Sequence, residues 1–153
     1  MLAFAFPVDS GLNVIRLIDS GLFDEAPDLA VIVSHAGGVL PYLMGRLDVY
    51  TEASQLTSRS ETLARPFGEY LRRLYVDTVR YHAAALECCY ATVGASRMVY
   101  GTDHPFGQPD QVAELIDALD CSADARKLIY HGNLEALMGV ADAATQADAP
   151  THA

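Results

Sequence analysis

At 153 residues the chain can bury one domain-sized core, and a formal net charge of −10 with a pI near 4.7 argues against nucleic acid or an anionic membrane as partner. Hydrophobic residues make up 51% of the chain, yet no stretch reaches the ~18 uninterrupted apolar residues of a membrane helix. The apolar start Met1-Leu-Ala-Phe-Ala-Phe lacks a basic region and meets Pro7 and Asp9 too soon for a signal peptide, so the expectation is a soluble, cytoplasmic protein. Three cysteines, two adjacent as Cys88-Cys89, and no C-x-x-C make neither a disulfide framework nor a structural zinc knot.

Residues 1–8 read as an apolar lead-in. Asp9-Ser10 can cap a helix over 11–25, with Leu12, Ile15, Ile18 and Leu22 on one face. The apolar run Leu29 to Val33 predicts a strand over 29–34, buried on both faces. It ends at Ser34-His35, and Gly37-Gly38 permit a close approach of backbone or ligand. Pro41 suits the first turn of a helix running to about Tyr50. Residues 51–65 are polar and Ser/Thr-rich and read as a surface excursion. A short helix over 66–73 precedes a second strand, 74–79. A helix over 83–93 stops at Gly94, and Arg97 to Tyr100 form a third strand that leaves through the loop 101–107. Helices over 111–119 and 123–130 and a helical turn over 133–138 follow, and the Ala-rich tail 141–153 reads as disordered. This alternation of strands and helices means a parallel α/β arrangement.

The strand ends carry the candidates. His35 follows the first strand, where an α/β barrel keeps its chemistry; a core histidine is the plainer alternative. Asp103, in Gly101-Thr-Asp-His-Pro-Phe106, suits a metal ligand or general base as well as an Asx turn. His104 beside it points the opposite way in an extended segment. His82, just beyond the second strand, is either an acid/base or a helix-entry residue facing water. Arg46 on the helix after Pro41 can clamp a carboxylate bidentately, or pair with Asp48. His131, near a helix C-terminus, reads as structural.

His35-Ala-Gly-Gly with Pro41, Tyr42 and Gly45-Arg46-Leu47-Asp48, then Tyr70-Leu-Arg-Arg73, Asp77-Thr78 and Gly101-Thr-Asp-His-Pro-Phe106, occur in this order. Together they resemble the C-terminal half of the amidohydrolase-related (amidohydrolase 2) metal-dependent decarboxylases. Aminocarboxymuconate-semialdehyde and γ-resorcylate decarboxylases are familiar members of that family. The resemblance implies half of a (β/α)8 TIM-like barrel over 1–140, with one divalent metal, zinc or manganese, at the C-terminal strand ends. It implies His35 as catalytic acid/base, Asp103 as metal ligand and Arg46 as binder of a small carboxylate substrate, with homodimers usual. Members hold the metal mainly through a His-x-His pair and a third histidine. Here no His-x-His occurs, and no histidine precedes His35. A whole barrel needs about 250 residues. The expectation is therefore a partial chain. Its activity is decarboxylation, with metal-dependent hydrolysis of a lactone or amide as the runner-up. The third reading is a non-catalytic subunit that needs a second chain to supply the missing half-barrel.

Overall fold

A computed structural model describes residues 2–52 and 63–140. The expected disordered tail and most of the expected excursion over 51–65 lie outside these residues. The elements in order are α1 (Leu2–Asp19), α2 (Leu22–Glu25), β1 (Ile32–Val33), α3 (Ser34–Gly37), α4 (Leu40–Glu52), α5 (Phe67–Leu71), β2 (Tyr75–Asp77), α6 (Ala83–Val93), β3 (Met98–Val99), α7 (Pro109–Asp117), α8 (Ala123–Lys127) and α9 (Asn133–Leu137). A π-helical turn over Leu128–Gly132 joins α8 to α9.

The strands pair in parallel in the order β1-β2-β3, with Val33 opposite Val76 and Val76 opposite Met98. Helices alternate with these strands, as the sequence leads one to expect. The strands themselves are shorter than expected. β1 ends because His35 and Ala36 turn left-handed at φ 57° and 48°. Nor is β1 buried on both faces: Val33 packs into the core, whereas its neighbour Ile32, on the opposite face of the strand, is 48% exposed.

The first helix differs most from expectation. It starts at Leu2, so Asp9 and Ser10 are interior residues rather than caps, and Pro7 lies inside it. Leu, Ala and Phe favour or tolerate the early turns, and Phe6 and Ser10 gain contacts with the turn after β1. The helix stops early too, at Gly21 (φ 77°), which separates α1 from α2.

The core lies between the sheet and its helices. Val33, Val76 and Met98 of the strands pack with Leu40, Leu71, Leu86, Val112, Ile116 and Ile129 from the surrounding helices. Two buried polar residues tie this core to its loops. The Thr78 hydroxyl donates to Gly101 O (3.0 Å) and accepts from Gly101 N–H (3.1 Å), locking the exit of β2 to that of β3. The Asn133 amide donates to Ala95 O and Met98 O, each at 2.7 Å, and so anchors α9 beneath β3. Every buried polar side-chain atom among the described residues has a partner, as a stable interior requires.

Candidate active site

His35 leaves the end of β1 in a backbone conformation that costs a non-glycine residue of order 1–3 kcal/mol. The Asp77 carboxylate at the end of β2 holds it there. Asp77 accepts from the N–H groups of His35 (3.0 Å), Ala36 (2.6 Å) and Val79 (3.0 Å). Burial pushes the Asp77 carboxyl above the ordinary carboxylate value, while these three bonds pull it down. One carboxylate therefore joins β1 to β2 at the C-terminal edge of the sheet.

The His35 ring lies parallel to the Phe6 ring, with centroids 6.3 Å apart. Its Nδ1 is within hydrogen-bond distance of the hydroxyls of Ser34 (3.2 Å) and Ser10 (3.3 Å). Nε2 has no partner among the described residues and is the nitrogen left for a ligand. Gly38 makes the approach of α1 possible: a Cβ built there would sit 2.2 Å from Pro7 O.

Asp103 is the third non-glycine residue at positive φ (59°). Its carbonyl accepts from the N–H groups of Phe106 and Gly107, both at 2.8 Å, which closes the loop after β3 and leaves the side chain exposed. Gly107 is required there, since a Cβ would lie 1.8 Å from Thr102 O and 2.6 Å from the Tyr81 hydroxyl.

A cavity of about 220 Å³ is lined by His35, Asp103, Phe6, Val79, Arg80 and Tyr81, with Ala3 and Pro7 completing its wall. His35 and Asp103, 68 residues apart in sequence, thus face the same space. Burial, then the charges of Asp103 and Asp77, push the Tyr81 phenol above its ordinary value, so it remains a hydrogen-bond donor at neutral pH. The other candidates lie elsewhere. Arg46 is exposed on α4 and does not line this cavity. His82 precedes α6, is exposed, and caps the helix through its carbonyl, which accepts from Ala85 and Leu86 N–H. His104 is exposed and donates its N–H to the Thr102 hydroxyl at 3.3 Å. His131 pairs with Glu135 at 3.0 Å.

Sequence reasoning missed Phe6, Ser10 and Arg80 as site residues and gave Asp77 no role. Asp77 did carry a signal: an acid inside an otherwise apolar strand is rarely left without a partner. Ser10 and Phe6 carried none, since they enter the site only because α1 starts early.

Parallel strands with His35 and Asp103 at their C-terminal ends define an α/β protein of the kind that builds active sites on strand-end loops. The sequence model described as Amidohydrolase matches residues 7–140, and the chain belongs to this amidohydrolase family. A γ-resorcylate decarboxylase from Polaromonas sp. is 30% identical over 135 residues, covering 88% of this chain and 41% of that protein. The solved 2,6-dihydroxybenzoate decarboxylase from Rhizobium superposes with a TM-score of 0.77 at 29% identity, covering 90% of this chain and 43% of that one. The 5-carboxyvanillate decarboxylase of Novosphingobium aromaticivorans, complexed with manganese and 4-hydroxy-3-methoxy-5-nitrobenzoic acid, gives 0.78 at 32% identity, covering 89% and 40%. The chain spans about two fifths of the length of these relatives.

A resident metal needs more than this donor set. Among the described residues no three His, Cys, Asp or Glu side chains cluster as ligands. His35 and Asp103 fall short of the three or four protein ligands of a zinc site, so the described residues alone do not fit such an ion.

Proposed function

We propose that residues 2–140 form the C-terminal strand–helix units of a (β/α)8 barrel enzyme, a metal-dependent non-oxidative decarboxylase acting on a small aromatic carboxylate. One observation carries this reading: His35 and Asp103, both in left-handed backbone, face one cavity at the C-terminal edge of a parallel sheet. The relatives named above, all decarboxylases of aromatic acids, support it. In this reading Asp103 gives one ligand to a divalent ion, zinc or manganese, and the remaining ligands come from outside the described residues. Surfaces for such a complement exist. Among the described residues β1 pairs on one side only, and Phe4, Val8 and Leu12 form an exposed i, i+4, i+8 stripe on α1.

The chemistry assigned to these residues is a proton and charge problem. The C–C bond to the carboxylate breaks, its electron pair stays on the ring carbon, and carbon dioxide leaves. His35 Nε2 delivers the proton that the carbon needs. A guanidinium holds the carboxylate until it departs; the family resemblance gives that role to Arg46, which is exposed on α4 and lines no part of the His35–Asp103 cavity.

The test begins with the purified chain, whose zinc and manganese content across a size-exclusion peak should be far below one per chain. The chain is then co-expressed with the N-terminal part of the Polaromonas relative that it does not match. Release of carbon dioxide from 2,6-dihydroxybenzoate is expected from the pair and not from the chain alone. His35→Ala should cut turnover at least ~100-fold, the usual worth of a general acid, and keep the metal. Asp103→Ala should lose metal as well, and Arg46→Lys should raise KM or lower turnover. Equal metal retention in the first two variants contradicts the roles given to them. A metal-loaded pair that opens a lactone and leaves the benzoate untouched establishes hydrolysis instead. One that does neither leaves a non-catalytic subunit.

A further inference from the structure

We infer that Arg80 is an anion anchor, holding the carboxylate of an aromatic ligand whose ring sits in an apolar cavity beside His35. The inference rests on the decarboxylase reading for its ligand class only. Besides the small His35–Asp103 cavity, Arg80 lines a second one of about 520 Å³. The rest of the described wall carries no charge and is largely apolar, with Pro7, Pro41, Ala84 and Cys88 in it. Among the described residues Arg80 is the one charged group in its lining, and the volume falls in the ordinary range for small-molecule sites. Arg80 is the residue the two cavities share along with Pro7, so a ring in the larger one can reach towards the imidazole in the smaller.

The guanidinium is poorly provided for. It is half-buried, and its one hydrogen bond among the described residues goes from Nη2 to Gly38 O. It makes no ion pair there. Burial pulls its pKa below the ordinary arginine value, with Cys89 and then Asp77 acting the other way. Asp77 is already committed to three backbone N–H groups. A partly desolvated cation with no carboxylate in direct contact is costly, and its planar fork retains N–H groups that match a carboxylate edge. A bound aromatic acid supplies the direct ion pair and fills the apolar wall at once.

The experiment is calorimetric titration of the full chain with 2,6-dihydroxybenzoate and with its neutral counterpart, 2,6-dihydroxybenzamide. The wild type should prefer the acid at least ten-fold. Arg80→Met should lose that preference while still binding the amide, Arg80→Lys should keep part of it, and Ala84→Phe should weaken both ligands by filling the cavity. Because the Met variant also loses the bond to Gly38, a second measurement uses wild-type protein. Phenylglyoxal labelling mapped by mass spectrometry should show Arg80 shielded by the benzoate and exposed Arg72 unaffected. Equal labelling of Arg80 with and without benzoate, an undiminished acid preference in Arg80→Met, or no binding of either compound overturns the inference. Binding is read without turnover. Arg80-dependent binding with no decarboxylation in the complemented barrel removes the reaction and keeps the anchor, and turnover with Arg80-independent binding does the reverse.

Discussion

Asp77 fixes the direction of His35 through hydrogen bonds to the backbone. The carboxylate offers two oxygens to three N–H groups, and an asparagine offers one oxygen and turns an NH2 group towards a donor. Each N–H left without a partner costs about 1 kcal/mol or more, and part of this is returned because the buried carboxylate is itself held at a desolvation cost. Asp77→Asn should therefore lower stability by about 1–2 kcal/mol, and Asp77→Ala, which strands all three donors, by about 3 kcal/mol. Urea unfolding measures both, with hydrogen exchange at the His35 and Ala36 amides as the local readout. An alanine variant as stable as the asparagine one would show that the carboxylate does not hold the turn. The sequence made Asp77 visible as an acid in an apolar strand. Two of its three partners could not be read there, because the His35 and Ala36 amides lie 42 and 41 residues away and meet it only once β1 and β2 pair.

Elements were legible to different degrees. α6 runs over the expected residues, since its Ala- and Leu-rich run has a sharp stop at Gly94. α1 differs from the expected helix at both ends, because Asp9-Ser10 looks like a helix cap when the packing partner is unknown. That partner is Gly38, at φ 63° and ψ −127°, in contact distance of the Pro7 carbonyl. Gly38→Ala places a methyl group into a backbone oxygen and forces a side chain into a glycine conformation. It should cost at least about 2 kcal/mol and lift α1 off the turn, so that Ser10 leaves His35. Gly11→Ala is the control. Its Cβ would meet the Val39 methyl at 3.1 Å, a side chain that can yield, and alanine favours the helix. Thermal unfolding with limited proteolysis across residues 2–10 separates the two. If both variants behave alike, α1 does not depend on the Gly38 contact.

Across the whole molecule the order of strands and helices was legible, because apolar runs and turn residues alternate along the chain. The shortness of the strands was not, since it is set by where Asp77, Thr78 and the left-handed residues take over the backbone bonds. The candidate site was half legible: the positions of His35 and Asp103 at strand ends can be read from the sequence, while Arg80 needs the cavity wall to be seen. One property belongs to the molecule as a unit, because it is shared by α5, α6 and the π-helical turn. Burial pushes the Tyr70 phenol, the Cys89 thiol and the Tyr130 phenol up to about 12, from ordinary values of 10.0, 9.0 and 10.0. The folded state therefore keeps its protons where the unfolded chain releases them. The stabilisation from these groups is complete below pH 9 and is lost as the pH climbs towards 12. The urea midpoint should hold steady as the pH is raised to 9 and then fall through 10 and 11. Tyr70 donates to Asp24 Oδ2 at 2.7 Å, so Tyr70→Phe should start from a lower midpoint and fall less steeply. A midpoint that stays flat to pH 11 in the wild type would mean that these groups release their protons equally in both states. The three elements would then owe their packing to apolar contacts alone.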